Sequence, residues 1–306
     1  MDRREFFKKS LLAAAAATYG TQTFANILPL AEKYTSKQAY DLVALKGGMP
    51  DAMFDKGIAA LGGMKNFVKK GQTVVVKPNI GWDVSPERAA NTNPLLVKRI
   101  IEHCYNAGAK EVLVFDHSCD NWVKCYSTSG IEKAVKDAGG KIVSGGQESY
   151  YQEVKISGAK TIKKAKVHEL ILSSDVFINV PILKHHASGR LTVSMKNLMG
   201  IVWDRGFWHQ NDLHQCIAEF SMYRKPDLNI VDAYNVMTKH GPRGVSKSDL
   251  INLKSQIIST DMVAADAASA KLFGIEPDEV NYIKIADQLK IGRKDLNKLN
   301  IKRIKI

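Results

Sequence analysis

Polar side chains follow several apolar runs of this sequence, each at the point where a run ends. Lysine can stabilise developing negative charge and histidine titrates near neutral pH, so such groups suit proton transfer or redox chemistry on a carboxylate or phosphate. If the runs are parallel strands, their carboxyl ends face one edge of a sheet, where ligands bind. The polar groups are Lys77 and Asn79 after residues 74–76, Asp116 and His117 after residues 112–115, Lys184, His185 and His186 after residues 177–183, Asp232 after residues 230–231, and Asp261 after residues 257–260.

Two further segments carry charge that could reach the same place. Lys196 and Asn197 interrupt the otherwise apolar stretch 189–200, and burying them unpaired would be costly, so we expect them to face a polar cleft. Structural capping by Asn197 is the alternative. The Gly-Pro-Arg-Gly turn at 241–244 presents Arg243 in a way that suits a carboxylate or phosphate, although an ordinary surface turn has the same composition.

The sequence therefore predicts a shared cleft that binds a small anionic molecule. Its acid/base groups are expected to be His186 or His209, together with Lys184. The expected ligand-binding residues are Lys77, Asn79, Lys196, Asn197, Asp232, Arg243 and Asp261.

Four histidines are also candidates for a metal site. His209 and His214 are five residues apart, which excludes the i, i+4 pair of a helical zinc motif. Together with His185 and His186 they could still converge on a metal in space, because ligands need only be neighbours in the fold. Histidines that only donate and accept hydrogen bonds in a cleft are the alternative.

The cysteines and the common cofactor motifs leave the cofactor unknown. None of Cys104, Cys119, Cys125 and Cys216 forms a C-x-x-C pair, so no motif in this chain supports a metal or iron–sulfur cluster, although neither is excluded. A disulfide between Cys119 and Cys125 and free thiols both stay open. The sequence lacks G-x-G-x-x-G, Walker A and G-x-S-x-G motifs, and so lacks the signatures of a dinucleotide site, a P-loop and a hydrolase elbow.

Apolar extended runs alternate with helical patterns from residue 41 onward. This alternation predicts an α/β fold with a mostly parallel sheet, helices on both faces and a ligand cleft at the carboxyl ends of the strands. Asn93, Pro94 and Gly108 predict the two ends of a helix over 94–107. The predicted strands are 41–46, 73–77, 111–115, 141–143, 153–156, 175–183, 228–231 and 254–259, and the other predicted helices are 51–70, 127–138, 213–223 and 261–273.

The first residues resemble an export signal. Paired arginines before Phe6, Phe7 and Lys8, followed by an alanine-rich run, predict a twin-arginine signal peptide over residues 1–25 and a periplasmic or otherwise exported protein. Residues 26–306 are predicted to form a single α/β domain, with a division into two lobes left open. No later stretch is apolar enough for a transmembrane span.

The net charge of +13 is partly local, since residues 284–306 hold eight basic and two acidic side chains. A basic end could contact nucleic acid, but this one lacks interleaved aromatic residues, so a solvated face is expected and no nucleic acid partner. The expected partners are a small anionic molecule, a redox partner protein and, during export, the twin-arginine translocase.

Several motifs, in order over residues 40–290, resemble the domain of unknown function 362 family. They are Val-Lys-Pro-Asn at 76–79, Asn-Val-Pro-Ile-Leu-Lys-His-His at 179–186, Val-Ser-Met-Lys-Asn-Leu-Met-Gly at 193–200, His209, Ile-Val-Asp-Ala at 230–233, Gly-Pro-Arg-Gly at 241–244 and the 261–267 segment. The family pattern usually has Lys-Thr-His where this chain has 184–186, so His186 matches the family histidine. The cysteine repeats of the ferredoxin-like module that some members carry do not occur in this sequence.

The resemblance implies a protein of unknown specific activity. The family is distantly similar to lactate racemase-like nickel-pincer enzymes, whose lysine- and histidine-lined cleft holds an anionic cofactor and its metal, although fold alone does not fix function. Two hypotheses follow from the residues. The first is an exported cleft protein, expected to be an enzyme, that acts on a small anion. The second is a non-catalytic carrier or maturation protein for an exported redox enzyme.

Overall fold

A ten-stranded sheet, most of whose strands run parallel, forms the centre of the protein. The computed structural model describes residues 39–306, which form one compact unit. The signal peptide predicted over residues 1–25 lies outside these residues. Helices cover both faces of the sheet, so the α/β fold predicted from the sequence is confirmed. No helix among residues 39–306 combines the length and apolar character needed to cross a membrane.

The elements alternate along the chain much as the hydrophobic pattern predicts. The strands are β1 (Leu42–Lys46), β2 (Thr73–Pro78), β3 (Glu111–Val114), β4 (Lys141–Ile142), β5 (Tyr151–Lys155), β6 (Lys164–His168), β7 (Val176–Val180), β8 (Ile182–His186), β9 (Arg190–Thr192), β10 (Leu228–Met237), β11 (Leu250–Ser259) and β12 (Ile301–Lys305). The α-helices are α1 (Pro50–Ala60), α2 (Pro94–Ala107), α3 (Trp122–Thr128), α4 (Ile131–Asp137), α5 (Glu169–Ser173), α6 (Ser194–Asn197), α7 (Arg205–Gln210), α8 (Leu213–Phe220), α9 (Met262–Phe273) and α10 (Asn281–Gln288).

Strand direction decides which strand ends meet. The order in the sheet is β12-β1-β11-β10-β7-β2-β3-β4, and β8 pairs with β10 and β9. Strands β10, β7, β2, β3 and β4 run parallel to one another. β11 runs antiparallel to both of its neighbours, β1 and β10. The carboxyl end of β11 therefore lies at the opposite edge of the sheet from the carboxyl ends of β2, β3 and β7.

Alternate residues of each central strand enter two separate cores. Val75 packs in the core that includes α8, α9 and α10, whereas Val74 and Val76 pack in the core that includes α1 and α2. This follows from the two-residue period of a strand, which points successive side chains to opposite faces. Because both faces are covered, the central strands β2 and β7 are mostly apolar, and Lys77 and Asn179 are their buried polar exceptions.

The ends of α2 and α9 follow their capping residues. The Asn93 side chain accepts a hydrogen bond from the Leu95 backbone N–H, Pro94 is the first helical residue, and Gly108 ends α2 with a φ of +104°. The Asp261 side chain accepts hydrogen bonds from two backbone N–H groups of the first turn of α9. Both helix starts were predicted from the sequence and are confirmed.

Three predicted elements are divided or shortened in the structure. The strand predicted over 175–183 divides at Pro181 into β7 and β8, because proline has no N–H for a central ladder. Lys184, His185 and His186 consequently lie within β8 and not after it. The helix predicted over 127–138 divides into α3 and α4 at Gly130, whose φ is +73°. The helix predicted over 51–70 ends at Ala60, before a short 3₁₀ turn.

Candidate functional site

A cavity of about 450 Å³ opens beyond the carboxyl ends of β2 and β3 and beside β8. We call it the cleft. Four cationic side chains face one carboxylate there, together with three histidines and a cysteine. The lining residues are Lys77, Asn79, Gly81, Trp82, Asp116, His117, Cys119, Lys184, His186, Thr192, Lys196, Asn197, Met199, Gly200, Arg205, Gly206, His209 and Pro242.

An ion pair between Lys77 and Asp116 forms the floor of the cleft. Lys77 is fully buried, and its Nζ lies 2.8 Å from Asp116 Oδ1, 2.9 Å from Asn197 Oδ1 and 3.0 Å from the Pro78 carbonyl oxygen. Burial lowers the pKa of Lys77, and the Asp116 charge opposes that shift. Because all three donors of the ammonium are used, Lys77 holds the site together and has no donor left for a ligand.

Gly200 packs directly over this ion pair. A Cβ at position 200 would lie 1.9 Å from Asp116 Oδ1 and 2.5 Å from Lys77 Nζ, which is closer than any real contact. The Gly200 carbonyl oxygen also accepts a hydrogen bond from the His117 backbone N–H at 2.9 Å. Only glycine therefore fits here without moving the buried charges.

A row of four asparagine amides extends from the cleft into the sheet. Asn79 Nδ2 donates to Asn197 Oδ1 at 3.0 Å, and Asn197 Nδ2 donates to Asn179 Oδ1 at 2.9 Å. Asn179 Nδ2 then donates to Asn229 Oδ1 at 3.0 Å. Asn197 is 2% exposed, and its amide connects Lys77 with Asn179 of β7. Its side chain makes no helix-capping hydrogen bond, so the alternative of structural capping is not what the geometry shows.

Lys184 is nearly as buried as Lys77 but has fewer partners. It is 1% exposed, and its Nζ donates to the Ala90 carbonyl oxygen at 2.5 Å and to Asn79 Oδ1 at 3.2 Å. Burial lowers its pKa to about 7, opposed by the charges of Cys119 and Asp116. Lys184 therefore exchanges between the ammonium and the amine near neutral pH.

Lys196 enters the cleft from α6. It is 8% exposed, and the described contact of its Nζ is with Met199 Sδ at 3.0 Å, a thioether that accepts hydrogen bonds weakly. Burial lowers the pKa of Lys196 to about 8, and the charge of Cys119 opposes the shift. The geometry leaves donors of this ammonium available to a ligand.

Asp266 of α9 fixes the start of the short helix that carries Lys196. Its Oδ1 accepts a hydrogen bond from the Ser194 backbone N–H at 2.7 Å, and its Oδ2 accepts one from Met195 N–H at 3.1 Å. Burial raises the pKa of Asp266 to about 7, against these hydrogen bonds, which lower it. Asp266 thus positions Lys196 without entering the cleft.

His186 and His209 face each other across one side of the cleft. Their rings are 6.4 Å apart between centroids and nearly parallel. His186 Nδ1 accepts a hydrogen bond from the Gly189 backbone N–H at 3.2 Å, which leaves the ring proton on Nε2. Burial, with the charges of Lys196 and Lys184, lowers the pKa of His186 to about 2, and burial also lowers the pKa of His209. His186 is consequently a neutral hydrogen-bond donor.

Three residues predicted for the ligand site lie outside the lining of the cleft. Asp261 caps α9 at the opposite edge of the sheet, because β11 runs antiparallel, so the expectation that its strand end joins the others is wrong. Asp232 is buried, and its two oxygens accept hydrogen bonds from the backbone N–H groups of Asn93 and Tyr234. Burial raises the pKa of Asp232 to about 6. Arg243 is exposed and lies over the ring of Trp82, 5.9 Å from its centroid.

The four histidines proposed as metal ligands do not come together. His185 Nδ1 accepts a hydrogen bond from the Gly241 backbone N–H at 3.1 Å, and His214 stacks on Tyr282. Only His186 and His209 of the four line the cleft. Within the part of the chain that the structure describes, no three His, Cys, Asp or Glu side chains are placed to share a metal ion.

Among the lining residues that were not predicted for the site, Arg205 and Cys119 carry groups that can take part in chemistry. Arg205 donates to the carbonyl oxygens of His117 and Ser118 at 2.7 and 2.8 Å, and its Nη1 lies 3.5 Å from Cys119 Sγ. Cys119 is a free, exposed thiol, and Cys125 is a free, buried thiol. The disulfide between Cys119 and Cys125 that the sequence left open is therefore not formed. The signal for Cys119 was its place in the loop that follows β3, three residues after Asp116.

Comparisons with known proteins match most of the described chain. Residues 74–271 match the model of a family described as a domain of unknown function, DUF362. The thylakoid-associated protein sll1697 of Synechocystis sp. is 25% identical over 239 residues, which is 75% of this chain and 71% of that protein.

Two solved structures are similar at 12% identity. The lactate racemase apoprotein from Thermoanaerobacterium thermosaccharolyticum has a TM-score of 0.45 over 70% of this chain and 53% of its own. A Thermotoga maritima protein has a TM-score of 0.46 over 79% of this chain and 60% of its own. The chain thus spans less than two thirds of either structure.

Proposed function

The chain belongs to the DUF362 family, as its motifs predict, and because the function of that family is unknown we propose one from the cleft. The protein binds a small anionic molecule in the cleft and transfers a proton to or from it. Lys184 acts as the base in its amine form, and Lys196 contacts the anion and acts as the acid. His186 orients the ligand as a neutral donor through Nε2.

The observation that carries the proposal is the imbalance of charge in the cleft. Lys77, Lys184, Lys196 and Arg205 face a single carboxylate, Asp116, which already pairs with Lys77. A buried ammonium is stable only with a charged or strongly polar partner, and Lys196 has a thioether. An anion of small size would supply the missing partner.

The pKa values of the two lysines support proton transfer. A group transfers protons best when its pKa is near the working pH, and burial brings the pKa of Lys184 to about 7 and that of Lys196 to about 8. His186, with a pKa of about 2, stays neutral and is the weaker candidate for the acid. In this proposal the acid/base role predicted for His186 or His209 therefore passes to Lys196, and Lys184 keeps the role predicted for it.

We also propose that the protein is exported through the twin-arginine route after folding. The paired arginines before an apolar run support this address. A preformed cleft assembled from distant strands suits that route, because it carries proteins that have already folded. A fusion of residues 1–38 to a reporter that is active only after folded export would test it, and replacement of both arginines by lysine should retain the reporter in the cytoplasm.

Binding of small anions tests the main proposal. Calorimetry with acetate, propionate, phosphate and sulfate should detect at least one ligand, and Lys196→Met should weaken it at least tenfold. Lys56→Met, on the exposed face of α1, is the matched control and should bind as the parent protein does. Equal affinity in the Lys196 and Lys56 variants would contradict the proposal.

Proton transfer itself has a separate measurement. Carboxylates with an acidic C–H bond are incubated with the protein in D₂O, and deuterium uptake is followed by NMR. We expect uptake that Lys184→Met reduces at least a hundredfold while anion binding persists. Binding without exchange on any such carboxylate would instead favour a non-catalytic carrier.

A further inference from the structure

Cys119 is a nucleophilic side chain of the cleft, and the proposed function leaves it without a role. It lies in the loop after β3, with its thiol exposed to the cavity. Its backbone N–H donates to the Gly81 carbonyl oxygen at 2.8 Å, and Arg205 binds the carbonyl oxygens of the two preceding residues. The loop is thus held at both sides, and the thiol has a defined position.

The charges of the cleft converge on this thiol. Arg205 Nη1 is 3.5 Å from Cys119 Sγ. Burial lowers the pKa values of Lys184 and Lys196, and in both cases the charge of Cys119 is the first effect that opposes it. The sulfur and the two lysine side chains therefore act on one another across the same small volume of the cleft.

The other cysteines have the opposite environment. Cys104, Cys125 and Cys216 are buried, and burial raises the pKa of each thiol, to about 11 for Cys125 and Cys216. Such thiols are inert at neutral pH. Of the four cysteines, only Cys119 lines the cleft, so reaction of a thiol with a ligand there is confined to Cys119.

Lys196 gives a second, independent indication of a ligand beside this thiol. Its ammonium is more than nine-tenths buried, lines the same cavity and has a thioether as its described partner. An anion bound to Lys196 would lie in the cavity that Cys119 Sγ faces. A nucleophile and an anion site thus share one chamber.

We infer that Cys119 is a nucleophile that bonds reversibly to the ligand, and that the ligand is a small carboxylate carrying an aldehyde or ketone carbonyl. The inference rests on the proposed anion binding for the placement of the carboxylate. Lys184, as the amine, takes the thiol proton. The sulfur lone pair then forms a C–S bond to the carbonyl carbon, and the π electrons move to the carbonyl oxygen, which takes a proton from the Lys196 ammonium. The reverse steps release the ligand, so neither an oxidant nor a leaving group is needed.

Alkylation rates test the nucleophile. Iodoacetate and iodoacetamide both form a C–S bond with release of iodide, but only iodoacetate is an anion. Peptide mass spectrometry identifies the product at Cys119, and the quantity compared is the alkylation rate by iodoacetate divided by the rate by iodoacetamide. We expect this ratio at Cys119 to be at least tenfold higher than the same ratio for the thiol of glutathione. Lys196→Met should remove that preference, and Lys56→Met should keep it. A ratio equal to that of glutathione would overturn the inference.

Calorimetry of two carboxylates tests the carbonyl. Pyruvate and propionate have similar size and charge, but only pyruvate has a ketone. We expect the parent protein to bind pyruvate at least tenfold more tightly than propionate, and Cys119→Ser to bind both equally. Equal binding in the parent protein would overturn the covalent step while leaving anion binding intact. Binding of neither carboxylate would overturn the inference, and the proposed function would be overturned as well only if acetate, phosphate and sulfate also failed to bind. Cys125→Ser, at a buried thiol, should retain the preference for pyruvate.

Discussion

Replacing Lys77 by methionine should destabilise the protein strongly, because it would leave a buried carboxylate without its cation. Asp116 is 2% exposed, and the Lys77 ammonium 2.8 Å away is its only ion-pair partner among residues 39–306. Removing one partner of a buried ion pair costs about 3–5 kcal/mol of unfolding free energy. For a domain of this size that corresponds to a fall in Tm of roughly 6–20 °C.

A second substitution separates the loss of charge balance from the loss of packing. Asp116→Asn removes the charge but keeps an oxygen that can accept the hydrogen bond from the Ile80 backbone N–H. In the parent protein Asp116 Oδ2 accepts this hydrogen bond at 2.7 Å. The double variant Lys77→Met/Asp116→Asn should therefore be more stable than Lys77→Met alone, by at least ~1 kcal/mol. Lys56→Met serves as the surface control and should stay within about 0.5 kcal/mol of the parent protein.

Urea denaturation followed by tryptophan fluorescence and circular dichroism measures these differences. The reasoning would be refuted if Lys77→Met unfolded at the same urea concentration as Lys56→Met. It would also be refuted if the double variant were no more stable than the single one, since the cost would then come from lost packing and not from an unpaired charge.

Three further predictions concern the surroundings of the cleft. Gly200→Ala should lower the unfolding free energy by about 1–3 kcal/mol and weaken anion binding, because the added Cβ would displace the Lys77–Asp116 pair. Thermal denaturation measures the stability and calorimetry measures the binding. Unchanged binding would contradict the close packing. Asp266→Asn should weaken anion binding at Lys196, because an amide nitrogen would face the backbone N–H of Ser194 or Met195. Ser269→Ala, at a buried neighbour on α9, is the control and should weaken binding less. Equal anion affinities of the two variants would argue against a positioning role for Asp266. The pKa of Lys184 falls from an ordinary 10.5 to about 7 on folding, so the unfolded chain binds more protons between these pH values. The contribution of Lys184 to the free energy of unfolding should therefore rise with pH across that window. Lys184→Met should flatten this rise in denaturation curves measured from pH 7 to 10, and an unaltered slope would contradict the assignment.

The parts of the fold that depend on neighbouring residues could be predicted from the sequence. The ends of α2 follow Asn93, Pro94 and Gly108, and the apolar run before Lys77 forms β2. Pro181 could have indicated the division between β7 and β8, since proline lacks the N–H that a central strand needs. These features are local, so a single sequence contains them.

The arrangement of the cleft depended on contacts that the sequence does not record. Asp261 appeared equivalent to the other strand-end residues, but the antiparallel pairing of β11 with β10 places it at the far edge. Cys119 had no motif, and its significance comes from lysines that lie 65 and 77 residues away in the chain. Strand direction and the meeting of distant side chains are set by the packing of the whole domain.

The side-chain amide dipoles of the asparagine row all point in one direction through the interior of the sheet. The amide oxygen of Asn197 faces the Lys77 ammonium, and that of Asn79 faces Lys184. Each NH₂ group points onward, from Asn197 to Asn179 and from Asn179 to Asn229. Rotating any one of these amides by half a turn would set NH₂ against NH₂ or against an ammonium, so the row can adopt only one orientation. The dipoles that meet the two lysines are therefore already aligned before any ligand arrives, and no reorientation accompanies a change of charge in the cleft.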